Sequence, residues 1–356
     1  MSGTKGTGGR RITIVDVARH AGVSTASASK VLRNAYGASQ SMRDKVQASI
    51  ETLGYRPYAP ARGMRGRTFT IGVVLSDLDN PFFSLIIEGL SRAVRSRSYE
   101  LFISPSGYEG SPQQMGIEAM IDHQVDGLVL VAPLVTPAHL EVIATQIPLL
   151  VIGNHSRSQV FDSVAADDHR GAQLAVDHLV TLQHRRIAYV MRAGDLSDET
   201  RPESRRLTGF KHAMQKHGLS SDSMVLFASW NLEGGREAAR HVDSLASPPT
   251  AVFAGADVVA LGMINDLWDR GLSVPRTYSL VGYDNSRSAS LGPISLTSVD
   301  QSGVRMGERA GELLIERIEG RNRASHETFE PRMVKRNSTA APAQLIKYEL
   351  TPATKL

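Results

Sequence analysis

Thr25, Ala26, Ser27, Ser29 and Lys30 lie within six residues of one another, and all are small, polar or basic. A helix that exposes such side chains can lie in a DNA major groove without obstruction, its N-terminal residues facing base edges. The elements that must position them are legible in TIVDVARHAGVSTASASKVLR, residues 13–33. Ile14, Val17 and Ala18 follow a capping Thr13 at i, i+3, i+4 spacing, which predicts a first helix. Gly22 gives the turn Ala21-Gly22-Val23 its backbone freedom, and Ser24 caps a second helix with Ala28, Val31 and Leu32 on its apolar face. An ordinary helical hairpin has the same pattern, so this stretch alone leaves both readings open.

Charge separates them. Residues 1–67 hold twelve Lys/Arg, Arg33 among them, against three acids, whereas the remainder holds 28 basic and 33 acidic residues. A basic head on a mildly acidic body is the footprint of a polyanion-binding module joined to something else. Ser39 caps a predicted third helix over 40–53 with Val46, Ile50 and Leu53 inward, ended by Gly54. Three helices in so short a span form a domain of the helix-turn-helix class, residues 12–56. Before it, MSGTKGTGGRR (1–11) lacks an apolar core segment and reads as a disordered basic arm rather than a secretory signal. After it, residues 57–68 are rich in Pro, Gly and Arg and read as a hinge.

From Phe69 the pattern changes. Apolar runs at 70–75, 100–104, 127–131, 149–153, 187–191, 224–228, 251–254 and 278–283 alternate with helical stretches at 82–97, 169–181, 203–217, 232–245, 258–270 and 306–318. Near-continuous apolar strands between helices predict parallel sheets covered on both faces. Their number predicts two doubly wound α/β subdomains. Residues 341–356 read as a flexible tail whose leucines keep no heptad. The chain has no cysteine, so thiolate metal sites and disulfides are excluded, and no apolar run nears the ~20 residues of a membrane span.

Helix-turn-helix head, arginine-bearing hinge and two-lobed α/β body, in that order, resemble the LacI/GalR (lac-repressor-type) family of bacterial transcription regulators. The resemblance runs from about Thr13 to Thr339 and rests on several blocks. They are the head itself, IGVVLSDLDNPFFSLIIEGL at 71–90, DGLVLVAP at 126–133, HLVTLQHRRIAYV at 178–190, RRLTGF at 205–210, ALG at 260–262 and VGYDN at 281–285. It implies a periplasmic-binding-protein-like core over 69–340, with an N-subdomain of about 69–166 and 296–327 and a C-subdomain of about 167–295 and 328–340. It also implies a homodimeric repressor on a pseudo-palindromic operator, controlled allosterically by a small, sugar-like effector between the lobes. No cofactor or metal belongs to that picture, and the expected place of work is the bacterial cytoplasm, on the nucleoid.

Carried over residue by residue, the resemblance makes Thr25 and Ala26 the base readers and Lys30 a base or phosphate contact. Thr13, Ser24, Ser27, Ser29, Arg33 and Ser39 become further DNA contacts, and capping hydroxyls can serve both roles. In the hinge it assigns Ala61, Arg62 and Met64 to DNA, with Met64 in place of a minor-groove leucine wedge. Tyr58, Pro60 and Gly63 depart from the family's pattern there. For the effector it assigns Asp77, Asn80, Phe82, Arg206, Trp230, Asp257 and Asp284. Trp230 can equally be core, and Asp284 can be a structural turn carboxylate. Ala256-Asp257 lacks an amide that many members carry, and Gly303 replaces a lining aromatic, so a relative's effector does not transfer.

Other classes fit less well. A periplasmic sugar-binding protein shares the body but not the basic head, and an architectural nucleoid protein shares the head but not the body. G-x-S-x-G, G-x-x-x-x-G-K-[ST], H-E-x-x-H and a dinucleotide fingerprint after a strand are all missing, and the histidines keep no metal spacing.

Overall fold

Val17, Ala18, Ala28, Val46 and Tyr55 pack together out of solvent, with Ile14, Val31, Leu32, Ile50 and Leu53 against them. These are the inward stripes expected of three helices, α1 (Ile14–Ala21), α2 (Thr25–Leu32) and α3 (Gln40–Leu53). The computed structural model describes residues 12–32, 36–55, 67–108, 110–194, 196–219 and 224–342. It forms two compact units, divided between Thr68 and Phe69.

In the first unit the ends are capped as the residue types demand. Asp16 accepts from the Thr13 backbone N (2.9 Å) and Oγ1 (2.7 Å), the carboxylate half of a capping box. Ser24 Oγ accepts from Ser27 N at 3.1 Å, and Ser39 Oγ accepts from Met42 N at 3.3 Å. Gly22 and Gly54 close α1 and α3 at φ 66° and 59°, left-handed conformations that favour glycine. The basic arm and tail, most of the hinge, and Arg33, Ala61, Arg62 and Met64 lie outside the described residues.

The second unit runs β1 (Thr70–Leu75), α4 (Pro81–Arg95), β2 (Glu100–Pro105), α5 (Gly110–Asp122), β3 (Gly127–Val131), α6 (Pro137–Gln146), β4 (Leu149–Ile152) and β5 (Asp162–Ala166). It continues through α7 (Asp168–Thr181), β6 (Ile187–Met191), α8 (Pro202–Lys216), β7 (Val225–Phe227), α9 (Leu232–Ser244), β8 (Ala251–Ala254), α10 (Asp257–Asp269) and β9 (Ser279–Tyr283). A 3₁₀ turn at Arg287–Ser290 precedes β10 (Thr297–Asp300), α11 (Gly303–Ile318), β11 (His326–Phe329) and β12 (Arg332–Val334). One sheet has the order β11-β5-β4-β3-β1-β2 and the other β12-β10-β9-β8-β6-β7.

The first sheet is parallel throughout. In the second, β12 departs from the expected parallel pattern by pairing antiparallel with β10. β11 and β12 lie in different sheets with only two residues between them, so the chain passes directly from the edge of the first sheet to the edge of the second. The lobe exchange also differs from the expected boundaries. Residues 297–300 form β10 in the second sheet, and the chain returns to the first lobe only at α11. Residues 328–329 still belong to β11 of the first sheet. Thr-Ser-Val-Asp has no apolar run, so its burial is set by β9 and β12 on either side and is invisible locally.

In the first lobe α4 and α11 touch backbone to backbone. A methyl at Gly89 would lie 2.0 Å from the Val304 carbonyl oxygen, and one at Gly307 would lie 2.2 Å from that of Ile86. The contact fixes the start of α4, where Asn80 Oδ1 accepts from Phe82 N (3.1 Å) and Pro81 opens the helix. Gly303 faces the Phe82 ring, with no room for a side chain: a methyl there would lie 2.9 Å from Phe82 Cε2.

At the far end of the second lobe, His178 and His184 are buried beneath residues 338–340. His178 Nε2 bonds Thr339 Oγ1 (3.0 Å), while His184 Nε2 donates to the Ala340 carbonyl (2.8 Å). Burial, with Lys335 and His184 adjacent, holds the His178 pKa down at about 4, and burial lowers that of His184. A depressed histidine pKa contributes stability above the unfolded value near 6.5 that is lost as pH falls toward 4. The unfolding midpoint is therefore expected to fall between pH 6.5 and 4, and His178→Gln to flatten that slope. An unchanged slope in the variant would refute the assignment.

Candidate functional site

On α2 the side chains of Thr25, Ala26 and Lys30 are exposed, and Ser27 and Ser29 are half-buried. Ala28, on the opposite face, is fully buried, so the helix is anchored by one side and presents the other. Its first turn is tied by Ser24, whose hydroxyl caps Ser27 N and lies 2.9 Å from the Ser27 Oγ. The exposed face carries no acidic residue, which leaves its N-terminal turn and Lys30 attractive to phosphate.

In the second unit the C-terminal ends of strands from both sheets meet at one cleft, where open α/β sheets place ligands. Ser76 follows β1, Val131 and Ala132 end β3, Ile152 and Gly153 end β4, Arg192 follows β6, Asp284 follows β9 and Gln301 follows β10. The cleft is partly open, spanning about 620 Å³ with the solvent at its mouth included. Its two walls differ. The first lobe contributes Phe82, Phe83, Val131, Ile152 and Met306, whereas the second contributes Asp168, Arg192, Glu203, Arg206, Trp230 and Asp284.

Arg206 is the hub of the polar wall. Its Nε donates to Asp168 Oδ1 (2.7 Å) and its Nη1 to the Gly255 carbonyl (2.8 Å). The guanidinium lies 3.9 Å from the Tyr283 ring centroid, a cation–π contact. Asp168 also accepts from Tyr283 Oη (3.2 Å) and bonds His155 Nε2 (2.8 Å). Burial alone would raise the Asp168 carboxyl, but Arg206 and His155 outweigh it and hold the pKa low. Burial likewise opposes the Arg206 charge, and Asp168 with its neighbours more than restores it. Arg192 donates to Glu203 Oε1 from Nε (3.1 Å) and Nη2 (2.7 Å).

Asp284 is different. Burial, then the Asp257 carboxylate beside it, push its pKa well above the ordinary carboxylate range. It accepts from Gln301 Nε2 at 2.6 Å and holds a φ of 116°, a strained conformation for a residue with a side chain. The Trp230 indole Nε1 is buried with no acceptor among the described residues.

Of the seven expected effector contacts, Asn80, Phe82, Arg206, Trp230 and Asp284 come together on the cleft. Two do not line it. Asp77 turns away to accept from Asp79 N and Asn80 N, both at 2.7 Å, and from the Tyr108 hydroxyl, so Tyr108 meets the cleft in its stead. Asp257 is wholly buried, its carboxylate taken by Ser298 Oγ (2.7 Å) and Ser286 N (2.7 Å). It supports the turn after β9 from below. Sequence reasoning missed Tyr108, Asp168, Arg192, Glu203 and Gln301. The rule that strand C-termini line the crevice marks Arg192 and, had β10 been seen, Gln301. Asp168, in the doublet Asp167-Asp168, has the appearance of a helix cap.

Among the described residues no helix is long and apolar enough to cross a membrane. The family model for bacterial regulatory proteins of the lacI family matches residues 13–58, and that for a periplasmic binding protein-like domain matches 176–339. Catabolite control protein A of Priestia megaterium is 33% identical over 306 residues, covering 85% of this chain and 91% of its own. The ribose operon repressor of Escherichia coli (strain K12) is 33% identical over 312 residues, covering 86% and 93%. A solved LacI family transcriptional regulator from Enterococcus faecium with bound ribose gives a TM-score of 0.66 at 29% identity, over 76% of this chain and 99% of that one. This chain therefore belongs to the lacI family of bacterial regulatory proteins and is a DNA-binding transcription regulator.

Proposed function

We propose that the protein is a homodimeric repressor that binds a pseudo-palindromic operator on the nucleoid through α2, and that a sugar-like molecule in the cleft sets its operator affinity. The observation that carries the effector reading is the buried, unpaired indole N–H of Trp230 on a cleft wall, since a buried donor without an acceptor is costly and calls for one from a ligand. The unequal walls support it. A sugar ring offers hydroxyls along its edge for Arg206, Asp284 and Arg192, and C–H faces for the first lobe's phenylalanines. The ribose held by the Enterococcus faecium regulator supports the same class of ligand. Thr25, Ala26 and Lys30 select the operator, with Ser24, Ser27, Ser29, Thr13 and Ser39 meeting phosphates.

The test uses operator fragments selected from random DNA and a thermal-shift screen of sugars and sugar acids, repeated with operator present. Deleting residues 1–68 is expected to cost about 10³-fold or more in operator affinity while leaving the sugar-induced shift intact. Operator binding by the truncated chain would overturn the assignment of the head. A panel that shifts neither the free nor the operator-bound protein would overturn that of the cleft.

A further inference from the structure

A second, partly open cavity of about 200 Å³ shares no lining residue with the cleft. The loop after β4, β5 and β11 wall it from the first lobe, and Arg205 of α8 walls it from the second. Two cations on it have guanidinium nitrogens without partners among the described residues. Arg157 is exposed, and its guanidinium makes no hydrogen bond or ion pair among the described residues, its backbone carbonyl alone accepting from Gln159 Nε2 at 3.4 Å. Arg205 spends only its Nε, on the Glu199 carbonyl at 2.9 Å, so both terminal nitrogens lack partners.

Of the two carboxylates on the same walls one is ion-paired and the other keeps its charge, so two guanidinium groups with partnerless nitrogens face one carboxylate. Glu327 is held by Arg309 at 2.8 Å, and Asp167 caps α7 by accepting from Arg170 N at 3.0 Å. Of the two imidazoles, His326 spends both nitrogens, at 2.8 Å each, on Ser163 Oγ and the Ser158 carbonyl. His155 uses Nε2 on Asp168. The Ser156 and Thr328 hydroxyls have no partner as donors. Two guanidinium forks with free N–H groups and two hydroxyls, in a polar cavity, match a tetrahedral oxyanion.

We infer that this cavity binds a phosphate group, gripped by Arg157 from one lobe and Arg205 from the other. An anion shared between the lobes favours the arrangement that brings those arginines together. His155, on the cavity wall, bonds the Asp168 that holds Arg206, so occupancy of this site and of the cleft are coupled by a continuous set of contacts. The site stands whether or not the cleft takes a sugar.

The test is thermal unfolding of the full chain in inorganic phosphate, with chloride holding the ionic strength constant. The midpoint is expected to rise by about 2 °C once phosphate exceeds its dissociation constant tenfold. Arg157→Gln and Arg205→Gln should each weaken the response about tenfold or more, and together abolish it. Neither side chain holds more of the fold than one carbonyl, so both variants fold. Trp230→Phe, a change in the cleft, should leave the phosphate response intact. No rise beyond the chloride control, or an undiminished rise in the double variant, would overturn the site. So would loss of the response in Trp230→Phe, since that places the anion in the cleft. Glycerol 3-phosphate is run in parallel: a larger rise than with inorganic phosphate identifies a phosphate ester as the source, and an equal or smaller one identifies the free ion.

Discussion

Asp168→Ala is expected to destabilise the second unit by about 3–5 kcal/mol, the cost of stripping a buried ion pair of one partner. Arg206 and Asp168 have side chains only 5% and 1% exposed, so water cannot replace the lost carboxylate. The change also removes the acceptor of the Tyr283 hydroxyl and the partner of His155. Asp168→Asn keeps an oxygen in place and should cost less. Replacing both members, Asp168→Leu with Arg206→Met, should cost less than the sum of the single changes, because no uncompensated charge is left behind. Urea unfolding of the parent protein, Asp168→Ala, Asp168→Asn, Asp168→Leu, Arg206→Met and the double change measures this directly. A loss under about 1 kcal/mol for Asp168→Ala would mean that the pair is already solvated. In the folded fraction the sugar response should be lost as well, because Arg206 no longer has the contact that aims it along the polar wall.

The second large effect lies away from every polar group. Gly307→Ala should cost about 3 kcal/mol, near the top of the usual range for overpacking, because the new methyl meets the Ile86 carbonyl at 2.2 Å. A carbonyl in mid-helix cannot rotate aside as a side chain can, so α4 and α11 must separate. Phe82 and Phe83 ride on the first turn of α4 and line the cleft, so effector affinity should fall together with stability. Gly292→Ala is the control. No atom lies within 4 Å of its added methyl, and the change should stay within about 0.5 kcal/mol.

Much of the cleft was legible before any coordinates. Arg206 and Asp284 stand in short blocks next to predicted elements, and Asn80 and Phe82 cap and open a helix directly after the first body strand. Asp257 was legible in the wrong sense. The family resemblance alone placed it on the effector, and nothing in its own surroundings marks it as buried. Ser298 on β10 and the Ser286 amide claim it instead, and β10 is a strand with no apolar run to announce it. Arg192 and Glu203 pair across the link between β6 and α8, two guanidinium nitrogens sharing Glu203 Oε1, and nothing in their separate surroundings marks either as half of that bridge.

Read alone, the chain determined what is encoded by near neighbours. Caps such as Ser24 and Ser39, the left-handed glycines 22 and 54, the apolar stripes of the head and the strand–helix alternation of the body all depend on residues three or four positions apart. The basic excess of residues 1–67 is a matter of composition and needs no partner at all. The tertiary structure alone decided how the lobes exchange chain after Asp300, which acids face the cleft and which are consumed beneath it, and that one wall is polar and the other apolar. Those outcomes rest on contacts between distant positions: Asp168 with Tyr283, Asp257 with Ser298, Gly89 with Val304. Periodicity specifies which face of an element is buried. The partner that covers it is chosen by the energy of the whole packed arrangement, which no local window contains.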